Sequence, residues 1–509
     1  MATINQSSGQ GALFELVARG VKDTYFVKDA PTSTFPYDAR YQSSVHHIAE
    51  RRTEVPITTT NFGSSFEVEI DPYGDVMSEC ALEINLPTWL PSLPRVPDGQ
   101  LCQPSIINWL YPITDSINAP NGVSYGYVNA VGYFLFERIQ FFQDQFLIQE
   151  WSGDGLYAKQ VCEGSWNSSL LQQVNGGLLE TRDPYTDAIT PRGIQLRATP
   201  GHLRIVLPLP GMQCPGDGGF PLVSMAWQKF RIKGILRPLE DLVVCSDPTI
   251  RKPAPWLVPQ FEYKFPDGTT YTFSPKPFNQ IGQPTILLST IQHYVPPKVQ
   301  EELRSKPIQI PFRRQFENNF TFGELDYIPL DKGGTAACTR RLDGRHPTEK
   351  IFWFFRNYNS LDNNRLDDFF NDYFDSHPPS ATQPYTMPYG EYYYRMKLVI
   401  AGKDRELLHE PFLWNPICQL AKDEKASGKQ IGEMKWSTGA QYGTIYPAPR
   451  QPEGTVNFTT ADRPTLYLEL ANITPNPTLA QRKSEFRVFT EGWNVYEVKE
   501  GRGRLLFAN

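Results

Sequence analysis

The sequence lacks the features by which secreted, disulfide-stabilised and membrane-spanning proteins are usually recognised. Its seven cysteines are scattered over 509 residues, are odd in number and form no C-x-x-C pair. This pattern predicts neither a zinc site nor a disulfide scaffold, and it favours a reducing compartment. No apolar run approaches the roughly 20 residues that span a bilayer. No charged segment followed by an apolar one opens the chain, so we also expect no secretory signal.

An excess of basic residues is missing too. The chain has 49 Lys and Arg against 55 Asp and Glu, a net charge of −6. A protein that binds nucleic acid through its phosphates carries a surplus of Lys and Arg. The charges of residues 1–30 cancel: the cations are Arg19, Lys22 and Lys28, and the anions are Glu15, Asp23 and Asp29. We therefore expect no direct contact with nucleic acid.

Catalytic and metal-binding motifs are absent as well. The seven histidines form no H-E-x-x-H motif and no spacing that suits a metal. There is no G-x-S-x-G, Walker or G-x-G-x-x-G motif. Carboxylate pairs such as Asp367/Asp368 and Glu301/Glu302 are compatible with a β-sandwich glycosidase, but most such pairs are solvated surface. The sequence therefore assigns no catalytic, cofactor-binding or metal-ligating residue, and we expect no enzyme.

Proline and aromatic residues are abundant instead. Proline accounts for 45 of 509 residues and aromatic residues for 13%, whereas proline averages roughly 5% in proteins. Many chain breakers between short β-branched and aromatic runs indicate many strands joined by irregular loops. This composition predicts an all-β protein of the sandwich or jelly-roll kind, with long loops and few short helices.

Three short patterns recur about half a chain length apart. Residues 138–147 and 397–408 both read as strand, polar turn and strand, with Asp144 and Asp404 260 positions apart. Residues 203–209 resemble 466–470, and 230–233 resemble 486–489. Their common order predicts two copies of one β-domain, in agreement with the size of single hydrophobic cores.

These patterns give a division of the chain. We predict an arm over residues 1–30, a first jelly roll over 31–240, a linker or insertion over 241–283, and a second jelly roll over 284–509. Within the arm, Leu13, Leu16, Val17, Gly20 and Val21 share one face of a short helix. That face suits a partner, a membrane surface or the protein's own domain equally. A second helix is predicted over residues 360–374.

Two aromatic segments admit a structural and a binding interpretation. Residues 351–355 (Ile-Phe-Trp-Phe-Phe) are five consecutive apolar residues, which is typical of a strand buried on both faces. Tyr392, Tyr393 and Tyr394 suit either a buried strand or a platform on which a sugar stacks. The sequence leaves this second choice open.

Six blocks, in the same order along the chain, resemble the major capsid proteins of nucleocytoplasmic large DNA viruses, the double jelly-roll family. Residues 11–26 resemble the family's start, and residues 137–156 its ELEIGGQRID…GDWL block. The remaining similar segments are residues 203–209 with 221–225 and 235–239, then 344–354, 397–405 and 493–509. Departures occur at residues 41–47, at 241–283 and at Gly503-Arg504, where the family has a double glycine.

The resemblance implies two tandem eight-stranded antiparallel jelly rolls and a homotrimer of nearly hexagonal outline that tiles an icosahedral shell. The implied partners are the protein itself, neighbouring capsomers, minor capsid and penton proteins, and an internal viral membrane reached through minor proteins. The implied location is the virion, after synthesis and assembly in the host cytoplasm. No cofactor is implied.

Two alternatives remain from the sequence. One is a minor or virophage double jelly-roll capsid subunit. The other is a glycan-binding β-sandwich protein that uses aromatic residues such as Tyr392–Tyr394 for stacking. A lectin of this kind would bind a sugar column, whereas a capsomer would be a stable trimer.

Overall fold

The computed structural model of the chain describes residues 49–91, 123–162, 200–326, 336–369, 393–418, 431–436, 454–470 and 484–507, with gaps of one to five residues inside most of these ranges. They all belong to the compact unit Ala49–Asn509. The predicted arm and its apolar helix face lie outside the described residues.

The described residues are mostly β-strands joined by loops. The strands of the first part of the chain are β1 (Ala49–Pro56), β2 (Ser65–Ile70), β3 (Val76–Asn85), β4 (Tyr125–Tyr127), β5 (Phe136–Gln143), β6 (Phe146–Trp151), β7 (Leu203–Val206), β8 (Phe230–Leu236), β9 (Val243–Cys245), β10 (Phe261–Lys264), β11 (Thr270–Phe273) and β12 (Thr285–Tyr294). Those of the second part are β13 (Ile308–Phe322), β14 (Ala336–Arg341), β15 (Pro347–Asn357), β16 (Tyr393–Ile400), β17 (Lys403–Asp404), β18 (Ile431–Lys435), β19 (Val456–Asn457), β20 (Thr465–Leu470), β21 (Ser484–Lys499) and β22 (Arg502–Leu505).

Helices in the described residues are short. The α-helices are α1 (Val131–Phe134), α2 (Gly153–Cys162), α3 (Pro297–Ser305) and α4 (Tyr358–Asp362). Short 3₁₀ turns are formed by Leu222–Met225, Leu239–Asp241, Pro255–Leu257 and Phe278–Gln280, and Leu413–Ile417 form a π-helix.

Two halves of the chain have the same strand order. In the first half, one sheet runs β1-β12-β3-β7 and the other β2-β8-β5-β6. In the second half, the corresponding sheets run β13-β21-β15-β18 and β14-β20-β16-β17. If the eight strands of each half are lettered B to I along the chain, both halves read B-I-D-G and C-H-E-F. This antiparallel arrangement is that of a jelly roll.

The remaining strands extend this framework. Strands β4 and β9 form a two-stranded sheet, as do β10 and β11, while β19 pairs with β15 and β22 pairs with β21. Phe261 and Phe273, on β10 and β11, are buried in the same apolar cluster as the first jelly roll. The predicted linker over 241–283 is therefore ordered in its described residues and packs on the first half.

Alternation of apolar and polar residues explains how each sheet covers its core. In β2 the exposed and buried positions alternate strictly, with Phe66, Val68 and Ile70 inside. β8 repeats the pattern, and its Gly234 lies opposite Phe66. Because successive side chains of a strand point to opposite faces, such a sequence has one face for the core and one for the surface.

The structure corrects the predicted start of the second half. A domain boundary at residue 284 would place β12 in the second jelly roll. In the structure β12 pairs with β1 on one side and with β3 on the other. It is the last strand of the first roll. The long separation between β3 and β12 along the sequence hides this pairing, since strand order in a sheet is not chain order.

Of the three sequence echoes, one joins equivalent strands. The E–F hairpins β5–β6 and β16–β17 correspond, and the residue pairs that close them, Gln143–Phe146 and Ile400–Lys403, are 257 positions apart. The other two echoes are wrong as equivalences, because they match strand G with strand H and strand H with strand I. Short alternating strands resemble each other whatever their place in the sheet.

The helix predicted over residues 360–374 is shorter and begins earlier. α4 ends at Asp362, and residues 363–367 form turns. Leu366 and Phe369 are nonetheless buried in the core. The apolar pattern therefore predicted correctly that these two residues are buried, although they do not lie on a helix. Residues 370–374 lie outside the described part of the chain.

Candidate functional site: the ionic contact between the two halves

Helix α2 lies where the two halves meet. Eight of its ten residues are buried, and it carries Asp154 in its first turn and Lys159 in its last. An acidic residue at the start and a basic one at the end suit the helix dipole. Both side chains reach residues of the second half, so α2 contributes a charge to that half from each of its ends.

Asp154 is the centre of the larger ion cluster. Its carboxylate is fully buried and lies 2.8 Å from Nη1 of Arg356, 3.0 Å from Nη1 of Arg487 and 2.7 Å from Nη2 of Arg237. Burial alone would raise the pKa of Asp154, but the three guanidinium groups hold that pKa well below its ordinary value. The carboxylate therefore stays ionised.

Arg356 joins three parts of the chain. It is fully buried at the end of β15, donates to Asp154 of the first half, and donates from Nε to Glu485 Oε1 at 2.6 Å. It also donates to the carbonyl of Leu366 at 2.6 Å. These bonds use several of the N–H donors that the planar guanidinium holds in a fixed arrangement. Charged hydrogen bonds of this kind are strong and directional.

The other end of α2 forms a second buried ion pair. Lys159 Nζ lies 2.7 Å from Glu491 Oε1, and Lys350 Nζ lies 3.4 Å from Glu491 Oε2. Burial would raise the pKa of Glu491, but the two ammonium groups lower it. One carboxylate of β21 is thus held by a lysine from each half.

A third contact involves β13. Arg313 lies 2.8 Å from Glu349 and stacks over the ring of Trp493 at 4.4 Å. The backbone of Arg313 is bound from the first half, because its carbonyl accepts from Gln149 at 3.1 Å and from Gln213 at 2.8 Å. The two halves are therefore joined by backbone hydrogen bonds as well as by charges.

An apolar layer surrounds these ions. β15 alternates between two cores: Phe352 and Phe354 belong to the cluster that includes the first half, whereas Ile351, Trp353 and Phe355 belong to the core of the second half. All five are buried, so the interpretation of residues 351–355 as a strand buried on both faces is confirmed. Tyr157 of α2, from the first half, packs against Phe369 with ring centroids 5.8 Å apart, and Phe369 packs on Phe354 at 4.1 Å.

A cleft of about 590 Å³ opens beside the Asp154 cluster. It is lined by both halves, and five arginines face four carboxylates there. The charged lining residues are Arg138, Arg237, Arg314, Arg345, Arg487, Glu137, Glu150, Glu317 and Asp343. Charges of both signs are mixed, so the cleft has little preference for an ion of either sign.

Solved structures of viral capsid proteins have a similar fold. A quasi-atomic model of the PBCV-1 virus capsid is 14% identical with a TM-score of 0.62, over 93% of this chain and 100% of that chain. A PBCV-1 protein fitted into a reconstruction of the virophage Sputnik is 15% identical, with a TM-score of 0.58 over 93% and 100%. The Faustovirus major capsid protein is 12% identical, with a TM-score of 0.54 over 96% of each chain. The chain is a double jelly roll.

Only the fold connects the double jelly roll to these proteins. Neither a protein-family model nor a curated protein matches the sequence. Within the described residues, no helix is both long and apolar enough to cross a membrane. Those same residues contain no group of three or more His, Cys, Asp and Glu side chains placed to hold a metal ion.

The residues that the sequence singled out fall in different places. Tyr393 is buried in the core of the second jelly roll, which supports the strand interpretation at that position, while the side chains of Tyr392 and Tyr394 lie outside the described set. Glu301 and Glu302 are exposed on α3. Tyr393, Glu301 and Glu302 do not belong to the contact between the halves.

Sequence reasoning missed the ion clusters. In the sequence, Asp154 lies within the family-like block 137–156, and Arg356 directly follows the apolar run 351–355. The available signal was the position of Arg356 directly after five apolar residues, since a charge at the end of a buried strand needs a partner. That signal does not identify a partner 202 positions away.

Proposed function

We propose that this protein is the major capsid protein of a large double-stranded DNA virus. Three copies would form a capsomer with six jelly rolls and a nearly hexagonal outline, and these capsomers would tile an icosahedral shell. The observation that carries the proposal is the pair of jelly rolls with identical strand order in one chain, similar over almost its whole length to capsid structures.

The contact between the halves suits this role. A capsomer must keep its shape in contact with many neighbours. Buried, hydrogen-bonded charges favour a single relative position of the two jelly rolls that they join. Asp154, Glu349 and Glu491 each lie on or beside that contact. The two rolls of a subunit would thus behave as one building block.

The proposed partners follow from the same role. They are the protein itself in a homotrimer, neighbouring capsomers, minor capsid and penton proteins, and through minor proteins an internal viral membrane. Nucleic acid is not among them, because the net charge is −6 and phosphate binding requires a cationic surface. Synthesis and assembly would take place in the host cytoplasm, and the mature location would be the virion.

Negative-stain imaging of the purified full-length protein, with two-dimensional averaging, tests the proposal. Uniform particles with three-fold features and a hexagonal outline are expected. Single particles with two lobes would contradict it, because a capsomer subunit should bury an interface larger than about 2,000 Å² with each neighbour.

A further inference from the structure

The connection between β8 and β12 forms a surface that takes no part in the ion clusters between the halves. This H–I connection of the first jelly roll contains β10, β11 and the 3₁₀ turns that flank them. Phe261 and Phe273 of the small sheet are buried among apolar residues of the first half. The stretches on either side of the sheet are residues 253–260 and 274–284, and we call their surface the aromatic platform.

The two stretches of the platform lie side by side. The β10–β11 ladder leads into both of them, and directly beyond its end Ser274 Oγ donates to the carbonyl of Pro259 at 3.2 Å. Farther from the sheet, the rings of Trp256 and Phe278 meet edge to face, with their centroids 4.9 Å apart. Residues from both stretches therefore form one continuous surface.

Apolar side chains are exposed on the aromatic platform. Leu257 is 79% exposed and Phe278 47%, and Trp256 between them is half-buried. A single exposed apolar residue is ordinary in a folded protein. Here two rings in contact and a neighbouring leucine are exposed together, and clustered apolar surface of this kind marks a binding site.

The platform is almost free of charge. Its two stretches contain one ionisable residue, Lys276, although 20% of the residues of the whole chain are charged. Lys276 Nζ donates to the carbonyl of Thr88 at 3.4 Å. Arg251 and Lys252, which directly precede the platform, face carboxylates at 3.9 Å and 2.7 Å. The surface therefore suits an uncharged ligand, because an ion would lose hydration here without gaining a partner of opposite charge.

Carboxamides supply the hydrogen-bonding groups of the platform instead. Gln260, Asn279 and Gln280 are exposed, and within the described part of the chain their side chains have no hydrogen-bond partner. Each carboxamide offers one carbonyl acceptor and two N–H donors. Asn279 and Gln280 directly follow Phe278 in the chain, so donors, acceptors and an exposed ring are present at the same place.

The backbone of the platform is held in place. Its two stretches contain six prolines, and each proline fixes its φ angle. The platform is also anchored to the loop between β1 and β2, since Thr60 Oγ1 donates to the carbonyl of Pro284 and the N–H of Phe62 donates to Gln283 Oε1 at 2.9 Å. A surface that is already ordered loses little conformational entropy on binding, which favours ligands that make few contacts.

We propose that the aromatic platform binds a neutral glycan. The C–H face of a hexose packs on aromatic rings, here those of Trp256 and Phe278. The neighbouring hydroxyl groups of the sugar both donate and accept, and so match the carboxamides of Gln260, Asn279 and Gln280. The site does not depend on the proposed capsid role. In an assembled shell, many copies would bind a glycan-covered surface more tightly than one copy does.

Saturation-transfer difference NMR on the full-length protein, titrated with lactose, maltose, cellobiose and mannobiose, tests the proposal. At least one of these neutral sugars should give signals from its ring C–H groups. Phe278→Ala and Asn279→Ala/Gln280→Ala should each weaken its binding at least about tenfold. Trp227→Ala is the matched control, because Trp227 is 88% exposed but lies at the other end of β8. The control should bind like the wild type.

Sedimentation velocity distinguishes a glycan from a second copy of the chain on this surface. The variants should sediment and melt like the wild type, and Asn279→Ala/Gln280→Ala tests the site even where Phe278→Ala does not fold, since it changes only exposed side chains. Dissociation of an oligomer by these substitutions would show that another copy covers the platform, and would overturn the glycan site. Absence of a signal from all four sugars would overturn it too, as would binding that both variants leave unchanged.

Discussion

The ion pairs of this protein fall into two physical classes. Lys229 and Glu69 are 3.0 Å apart, but both are largely exposed, and such pairs contribute about 0–1 kcal/mol. Arg356 and Asp154 are 2.8 Å apart and completely buried. Solvent does not replace a missing partner there, so the same chemical change has different consequences at the two sites.

Asp154→Asn should therefore destabilise the protein by about 3–5 kcal/mol, because it leaves three arginines around a neutral side chain. Glu69→Gln is the control and should cost less than about 1 kcal/mol. Urea denaturation followed by tryptophan fluorescence measures both. Equal effects of the two substitutions would show that the Asp154 cluster does not stabilise the fold.

His346 predicts a dependence of stability on pH. Burial, Arg314 and Arg345 lower the pKa of His346 from 6.5 to about 4. Between these values the unfolded chain takes up a proton and the folded chain does not. The unfolding free energy therefore has its full value above the unfolded pKa of His346, 6.5. It decreases as the pH falls towards the folded pKa of about 4.

His346→Gln should remove this contribution. Between about pH 7 and about pH 4.5 the wild type should lose about 1–3 kcal/mol more unfolding free energy than the variant. Urea titrations at both pH values measure the difference. An identical loss in the two proteins would mean that His346 does not control this part of the profile.

At the scale of elements, the sequence predicted strands well and their pairing poorly. The alternation in β2 and the apolar run in β15 depend on neighbouring residues, so they are visible in the chain itself. The assignment of β12 to the first half depends on pairing with β1 and β3, more than 200 positions earlier. Local pattern carries no information on such a distance, which explains the misplaced boundary at 284.

Cross-strand packing of glycine against an aromatic ring is a second feature that local pattern does not reveal. Gly432 of β18 lies opposite Trp353 of β15. A Cβ at Gly432 would lie 2.4–2.6 Å from the indole ring. The ring is fixed on its other sides, since it packs against Trp414 and donates to Tyr393 at 3.4 Å.

Gly432→Val should cost about 1–3 kcal/mol, because the indole must leave its position. Gly218→Val is the matched control, since nothing lies within 4 Å of a Cβ there. Thermal unfolding followed by near-ultraviolet circular dichroism reports both the stability and the environment of the tryptophan. An unchanged melting curve for Gly432→Val would contradict the close approach.

At the scale of the whole molecule, the fold was predicted but the contact between the halves was not. A resemblance spread over six blocks is enough to recognise a double jelly roll. The ion cluster requires Asp154 to meet Arg356 and Arg487, which are 202 and 333 positions away. No spacing rule links such residues, and each of them alone is an ordinary charged residue.

The buried contact predicts that the two halves depend on each other for stability. Expressed alone, residues 307–509 would expose Phe352, Phe354 and Phe489, and Arg356 and Glu491 would lose their first-half partners Asp154 and Lys159. A surface of this kind promotes aggregation. The separate fragment should therefore be insoluble or bind a hydrophobic dye, whereas co-expression with residues 1–306 should give a soluble complex.

The break at 306 keeps α3 with the first half, where Ser224 donates to the carbonyl of Leu303 at 2.7 Å. In the intact chain, calorimetry should show one unfolding transition for both halves, because exposing the contact costs too much for either half to unfold alone. Two separate transitions, or a soluble fragment 307–509 that melts cooperatively, would mean that the rolls are independent domains. The charges between them would then orient two stable bodies without stabilising either.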